Sequence, residues 1–158
     1  LDAHFIDMKS GRIEDAKHQV VKLARALEQM NMTMRNNLMS SLKSQNEALA
    51  QNIESNMFTF FDLEHLPDED LEALIYEIPE VNVLALALKN CPNAIIDRIY
   101  DNSSDRFIQI LEEESSFIGD FAEEDVVEAQ ISVVRLARQL EQKGTIKSLQ
   151  KVADSWIT

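Results

Sequence analysis

The sequence predicts an all-α fold, and three observations carry that prediction. Glycine and proline occur only three times each in 158 residues, so little interrupts a helix. Hydrophobic residues make up 45% of the chain, and they recur at steps of three and four, the spacing that gathers side chains on one helical face. The few prolines and glycines fall at the borders of these apolar runs, where they start or stop a helix.

Taken in order, Lys9-Ser10-Gly11-Arg12 is expected to break the chain and leave residues 1–11 as the end of a preceding helix or linker. Ile13, Ala16, Val20, Leu23, Ala24, Leu27 and Met30 then mark an amphipathic helix. Two shorter helices follow. Met34, Leu38, Met39 and Leu42 share the apolar face of one, Ala48, Leu49, Ile53 and Met57 that of the other, and the asparagine-rich joins at 31 and 46 mark the turns. Three short helices over 12–56 resemble an armadillo-like repeat, a unit that needs neighbours to cover its faces, so pairing with another copy is expected.

Residues 57–63, MFTFFDL, concentrate aromatic and apolar side chains between two pieces of the chain. They suit a core plug, or a connector whose rings dock on either neighbour. Pro67 with Asp68, Glu69 and Asp70 opens a helix at 66–79 whose buried stripe is Leu71, Leu74, Ile75 and Ile78, and Pro79 ends it. VNVLALALKN forms a buried helix closing near Asn90, and Pro92 begins another with Ile95, Ile96 and Ile99 inward. Ser103 or Ser104 should cap the next helix, because a hydroxyl accepts from free first-turn amides. Gly119 stops it, Asp120 is a candidate cap for the last helix, and Gly144 terminates that one after Val126, Ala129, Val133, Leu136 and Leu140 have lined its core face. Trp156 is expected to anchor the basic tail by packing.

The net charge of −13 is unevenly placed: residues 1–56 carry seven acidic and seven basic side chains, and residues 57–158 carry twenty-one and eight. So acidic a second part argues against binding a nucleic-acid backbone, where Lys and Arg supply most of the affinity, and suits a basic protein partner. The longest apolar runs fall short of the roughly 20 residues that cross a bilayer. The chain begins at Leu1 without a basic-then-apolar leader, which suggests a fragment of a longer protein, and the single Cys91 fits a reducing compartment, so a cytoplasmic location is expected. His4, His18 and His65 are scattered, no glycine-rich phosphate loop is present, and residues 68–72 lack the central glycine of a calcium loop. Neither an enzyme, a metal nor a cofactor is expected.

The helix over 103–116 combines an arginine with three consecutive glutamates. With residues about 100° apart, Phe107, Ile108 and Leu111 face the core, while Asp105, Arg106, Gln109 and Glu113 lie opposite and Glu112 and Glu114 fall at the edges. A solvated face would explain such charges, since exposed ion pairs contribute only about 0–1 kcal/mol each.

Three stretches sharpen this. MFTF at 57–60, LALALK at 84–89 and DVVEAQ at 125–130 resemble, in order and spacing, signatures of the carboxy-terminal region of the flagellar motor switch protein family FliG. The likeness covers nearly all of residues 11–146. It implies an armadillo-like subdomain at 12–56, a hinge at Met57, Phe58, Thr59 and Phe60, and a six-helix subdomain at 61–158 that carries a charged torque helix. It further implies stator-contacting charges at Lys89, Arg106, Glu113 and Glu114, the acidic pair being aspartate in most of the family. One position departs: where the family has an arginine after Gly-Pro-Val, this chain has Ala122, as in a divergent paralogue.

The implied protein is a rotor and switch component of the bacterial flagellar motor, involved in motility and chemotaxis. It would meet the stator's cytoplasmic loop, other switch-complex subunits and neighbouring copies of itself in a ring. It would touch no nucleic acid, and would lie in the cytoplasm beside the inner membrane at the flagellar basal body. The family's amino-terminal domain and its Glu-His-Pro-Gln patch are absent from these residues, so binding through them is not expected. The alternative is a helical scaffold or adaptor that assembles through armadillo-like faces without generating torque.

Overall fold

A computed structural model describes residues 2–147 and 149, with side chains from residue 11 onward. Trp156 lies outside the described residues. Among them the fold is all-helical, with eight α-helices and one 3-10 helix. The chain divides into two compact units, the first reaching Met57 and the second beginning at Phe58.

The first unit contains α1 (Asp2–Glu28), α2 (Met32–Gln45) and α3 (Glu47–Asn56). Its core gathers Val20, Ala24, Leu27, Met39, Ala50, Ile53 and Met57. Polar groups close the helix ends that these apolar residues cannot. Asn31 Oδ1 accepts from the Met34 amide at 2.9 Å, and Asn46 Oδ1 accepts from the Leu49 amide at 3.1 Å. The Asn46 amide also donates to the Leu42 carbonyl, so one residue ends α2 and begins α3. Arg35 donates from Nε and Nη2 to the Leu27 and Glu28 carbonyls, both at 3.0 Å, and satisfies the open end of α1.

Two expectations fail in this unit. The break at residues 9–12 does not occur, because α1 runs through Gly11. A lone glycine in a helix interior costs only about 1 kcal/mol, and without a proline beside it the flanking residues carry the helix on. Leu23, expected on the apolar face of α1, is 40% exposed, and Met34 and Leu38, expected on that of α2, are 56% and 38% exposed. Three helices do not cover every face that the periodicity marks as apolar.

In the second unit the 3-10 helix (Phe60–His65) is followed by α4 (Asp68–Glu77), α5 (Val81–Ala87), α6 (Asn93–Asp101), α7 (Asp105–Phe117) and α8 (Glu123–Gln142). α5 packs against both α7 and α8, and the core includes Phe58, Phe60, Leu71, Leu74, Leu84, Ile95, Ile99, Leu111, Val133 and Leu140. Thr59 donates from its amide and hydroxyl to Asp62 Oδ2 at 2.8 and 3.0 Å, which fixes the start of the 3-10 helix. Arg98 of α6 fastens the segment after it: Nε donates to the Glu64 carbonyl at 3.2 Å, and the terminal nitrogens donate to the Leu66 carbonyl and pair with Asp68. The Arg98 hydrogen bond and charge hold the Asp68 carboxyl below the ordinary aspartate range.

The side chains around the unit boundary are divided. Met57 is buried in the first core, while Phe58 and Phe60 are buried in the second. The two rings are therefore core residues of the second unit. Asp120 does not cap α8; Ala122 holds that position and supplies no side-chain acceptor. Glu123, Glu124 and Asp125 place negative charge in the first turn instead, which the helix dipole favours.

Gly11 inside α1 and Gly144 after α8 make opposite demands. A Cβ at Gly11 would meet open space in a helical backbone, so Gly11→Ala should raise stability by about 0.5–1 kcal/mol. Gly144 has φ +80°, a left-handed conformation, so Gly144→Ala should lower stability by about 1–2 kcal/mol. Urea denaturation of both variants would show the opposite signs, and shifts of the same sign would contradict these backbone assignments.

Candidate functional site: the charged face of α7

α7 starts at Ser104, whose Oγ accepts from the Phe107 amide at 3.1 Å. Ser103 is not the cap, because its hydroxyl donates to the Ile99 carbonyl at 2.6 Å. Leu111 is buried in the core and Phe107 packs against it. Ile108, expected to face the core, is half-buried outside that cluster. Asp105, Arg106, Gln109, Glu112 and Glu113 are exposed, and Glu114 is half-buried. Among the described residues neither Arg106 nor Glu113 has an ion-pair partner, so both charges face solvent uncompensated.

Lys89 reaches this helix from the end of α5. Its Nζ donates to Ser115 Oγ at 2.9 Å and lies 5.9 Å from the centre of the Phe121 ring. Ser115 is in the last turn of α7, where the free carbonyls favour a cation, and α7 has no basic residue of its own there. Lys89 therefore serves as that cation from another helix.

Gln130 of α8, buried in the interior, sets where Lys89 stands. Its Nε2 donates to the Ala87 carbonyl at 3.0 Å, one of the carbonyls left open where α5 ends. The Cys91 thiol donates to the same carbonyl at 3.2 Å. Asn90, at φ 61°, turns the backbone between them through the left-handed region, which asparagine tolerates better than most residues. Burial pushes the Cys91 thiol up from its ordinary value, against the opposing pull of Gln130, so at neutral pH it is protonated and able to donate. The motifs LALALK and DVVEAQ thus meet: the amide of one closes the helix of the other.

The charges on α7 run against the helix dipole. Arg106 lies in the first turn, where exposed amides favour anions, and Glu114 lies in the last, where exposed carbonyls disfavour them. Each such placement costs about 0.3–1 kcal/mol. The Ser104 cap, Asp105 and Lys89 offset part of that cost. Phe117, the last residue of α7, is 74% exposed, and Phe121, in the loop that leads to the exposed Ala122, is 37% exposed.

These charges sit within a region that matches the family model described as the FliG C-terminal domain, over residues 40–147. The chain belongs to the FliG family. It is 31% identical over 123 residues to the flagellar motor switch protein FliG of Thermotoga maritima, covering 78% of this chain and 36% of that protein. It is 34% identical over 109 residues to FliG of Borreliella burgdorferi, covering 69% and 31%. The crystal structure of FliG residues 86–343 from H. pylori superposes with a TM-score of 0.69 at 25% identity, over 82% of this chain and 60% of that one. Full-length FliG from Aquifex aeolicus shares the fold, with a TM-score of 0.53 at 23% identity over 90% and 46%. The chain spans about a third of the length of the curated FliG relatives.

The role of Gln130 was not visible in the sequence of this FliG-family chain, because its partner lies 43 residues away. Gln130→Leu keeps the volume and removes the donor, which should cost about 1–3 kcal/mol in urea denaturation. It should also speed hydrogen exchange at residues 88–91. Unchanged stability and exchange would show that the amide does not hold the end of α5.

Proposed function

We propose that this chain acts as a rotor component of the flagellar motor switch and meets the stator through the exposed face of α7. The observation that carries this reading is the order of charge on that helix. Arg106 and Glu114 stand where the dipole disfavours them, within the region matched to the FliG C-terminal domain. Charges arranged for stability would take the reverse order, and departures from local preference are expected at functional sites.

In this mechanism Arg106 attracts an acidic side chain of the stator's cytoplasmic loop, while Glu113 and Glu114 attract a basic one. Lys89 adds positive field at the far end of the helix. Two unit charges 4 Å apart attract by about 1 kcal/mol in water and about 4 kcal/mol at an effective dielectric of 20. A few such contacts steer a passing partner without locking it, and salt weakens them, since the screening length is about 8 Å at physiological ionic strength. A buried apolar patch, at about 25 cal/mol per Å², would release far more slowly.

The protein would work on the cytoplasmic side of the inner membrane, at the flagellar base. It would reach the membrane only through other proteins, and assemble with other switch subunits and with copies of itself. Ala122 favours a second reading, a helical scaffold without torque, because an exposed alanine stands where the resemblance to the family implies an arginine. Expression in cells lacking their main FliG subunit separates the two: restored swimming supports the rotor, assembled but paralysed flagella the scaffold. In the rotor case, Arg106→Glu and Glu113→Lys should each impair rotation at unchanged or slightly raised thermal stability, and opposite reversals in the stator should restore it. Normal torque in both variants would refute the assignment of α7.

Switching would turn on residues Met57 to Phe60. A rotation of the second unit about this connector would present the charged face in the reverse direction. A cysteine pair that tethers the two units should lock one sense of rotation once oxidised. A tethered motor that still reverses would remove the connector from the mechanism.

A further inference from the structure

The chain that follows α8 is held to the second unit by carboxylates. Gly144 turns the backbone out of the helix, and the Thr145 and Ile146 amides close on the Leu140 carbonyl at 2.9 and 3.3 Å. The next described amides find side-chain acceptors. Lys147 donates to Asp70 Oδ1 of α4 at 3.4 Å, and Leu149 donates to Glu141 Oε2 of α8 at 2.6 Å. Thr145, Ile146, Lys147 and Leu149 lie outside any helix, so this strap stays in place through these few bonds and the burial of Ile146 and Leu149 in the core. Glu141 has a second task. Its Oε1 accepts from Arg138 Nη1 at 3.0 Å, and the Arg138 guanidinium lies 5.9 Å from the centre of the Phe58 ring. Arg138 is 5% exposed, and a cation at that depth needs its carboxylate. One side chain thus holds the strap with one oxygen and, with the other, the cation that covers the first ring of the second unit.

We propose that the strap and the Phe58 ring open and close as one unit, with Glu141 and Arg138 as the link between them. When Leu149 leaves the core, Glu141 loses its backbone donor and water reaches the ion pair. The attraction falls as the effective dielectric rises, so Arg138 is no longer confined over the ring and Phe58 is free to leave its place. While the strap is docked, the pair stays dry and the ring stays covered. Segments with few buried contacts open at lower free energy than a helical core, so this opening occurs without unfolding of the whole unit. The strap is thereby a built-in latch on the residue at which the second unit begins, although the two lie at opposite ends of that unit's sequence. The coupling rests on the packing of this unit and uses no part of the motor reading.

Native-state hydrogen exchange of the whole chain in low urea tests the link. Beside the ring, the Thr59 amide bonds to Asp62 Oδ2 and the Asp62 amide to the Thr59 carbonyl. These two amides and those of Lys147 and Leu149 should share one opening constant and one urea dependence. That constant should exceed the one for the Ile99 amide inside α6 by at least about tenfold, with a weaker urea dependence. Leu149→Ala should raise it equally at all four positions, by about tenfold or more. Arg138→Met keeps an apolar cover on the ring and removes the charge, with thermal unfolding as the check on folding. In that background Leu149→Ala should still speed exchange at residues 147 and 149 but no longer at 59 and 62. Glu141→Gln, which puts a donor in place of one of the two acceptor oxygens, makes the same comparison should the arginine variant fail to fold. Different opening constants for the two pairs of amides in the unmodified chain would overturn the coupling, and acceleration of all four in the Arg138→Met background would overturn its route. Exchange of all four at the rate of Ile99 would overturn the strap as a unit that opens by itself.

Discussion

Much of the second unit depends on one hydrogen bond, from Gln130 to the Ala87 carbonyl. α5 is short, and its last carbonyls would face a low-dielectric interior if nothing donated to them. Because α8 supplies the donor, α5 can end inside the packed core, turn at Asn90 and send Lys89 to α7. Helices α5, α7 and α8 are thereby fixed by packing and by polar contacts at two successive points of one loop. An apolar residue at 130 would fill the space without determining where α5 stops.

The surface of α7 follows a different logic from the interior that supports it. Beneath, Leu111 and Phe107 anchor the helix through apolar contact, and Ser104 closes its start. Outside, charge is set against the dipole, and the compensating cation comes from another helix. A helix in this condition depends on its buried face for stability, which leaves the exposed face free to serve recognition.

Helix borders were legible wherever a residue with a strong local preference marked them. Pro67, Pro92, Ser104 and Gly144 stand at or next to ends that their stereochemistry favours, and the stripes of α4, α6 and α8 are largely the buried ones. Weak or non-local signals misled. Gly11 lacks a proline beside it and does not stop α1, and Asp120, a good cap by residue type, lies two residues before Ala122, where the backbone places the cap. Periodicity marked Met34 and Leu38 as apolar, but it reports a face and not whether anything covers it. At the candidate site, exposure of Arg106 and Glu113 followed from the 3.6-residue repeat. The reach of Lys89 to Ser115 and of Gln130 to Ala87 did not, since each joins residues far apart in sequence.

Arg98 gives the second unit a mechanical property. The backbone entering this unit is clasped at Glu64, Leu66 and Asp68 by a side chain of α6, and α6 leads through a short turn into α7. The segment that enters this unit is thereby tied to α6 by three contacts of a single side chain, which restrict how far it can move against that helix. Loosening that clasp would leave the charges of α7 in place and still free the entering segment from α6.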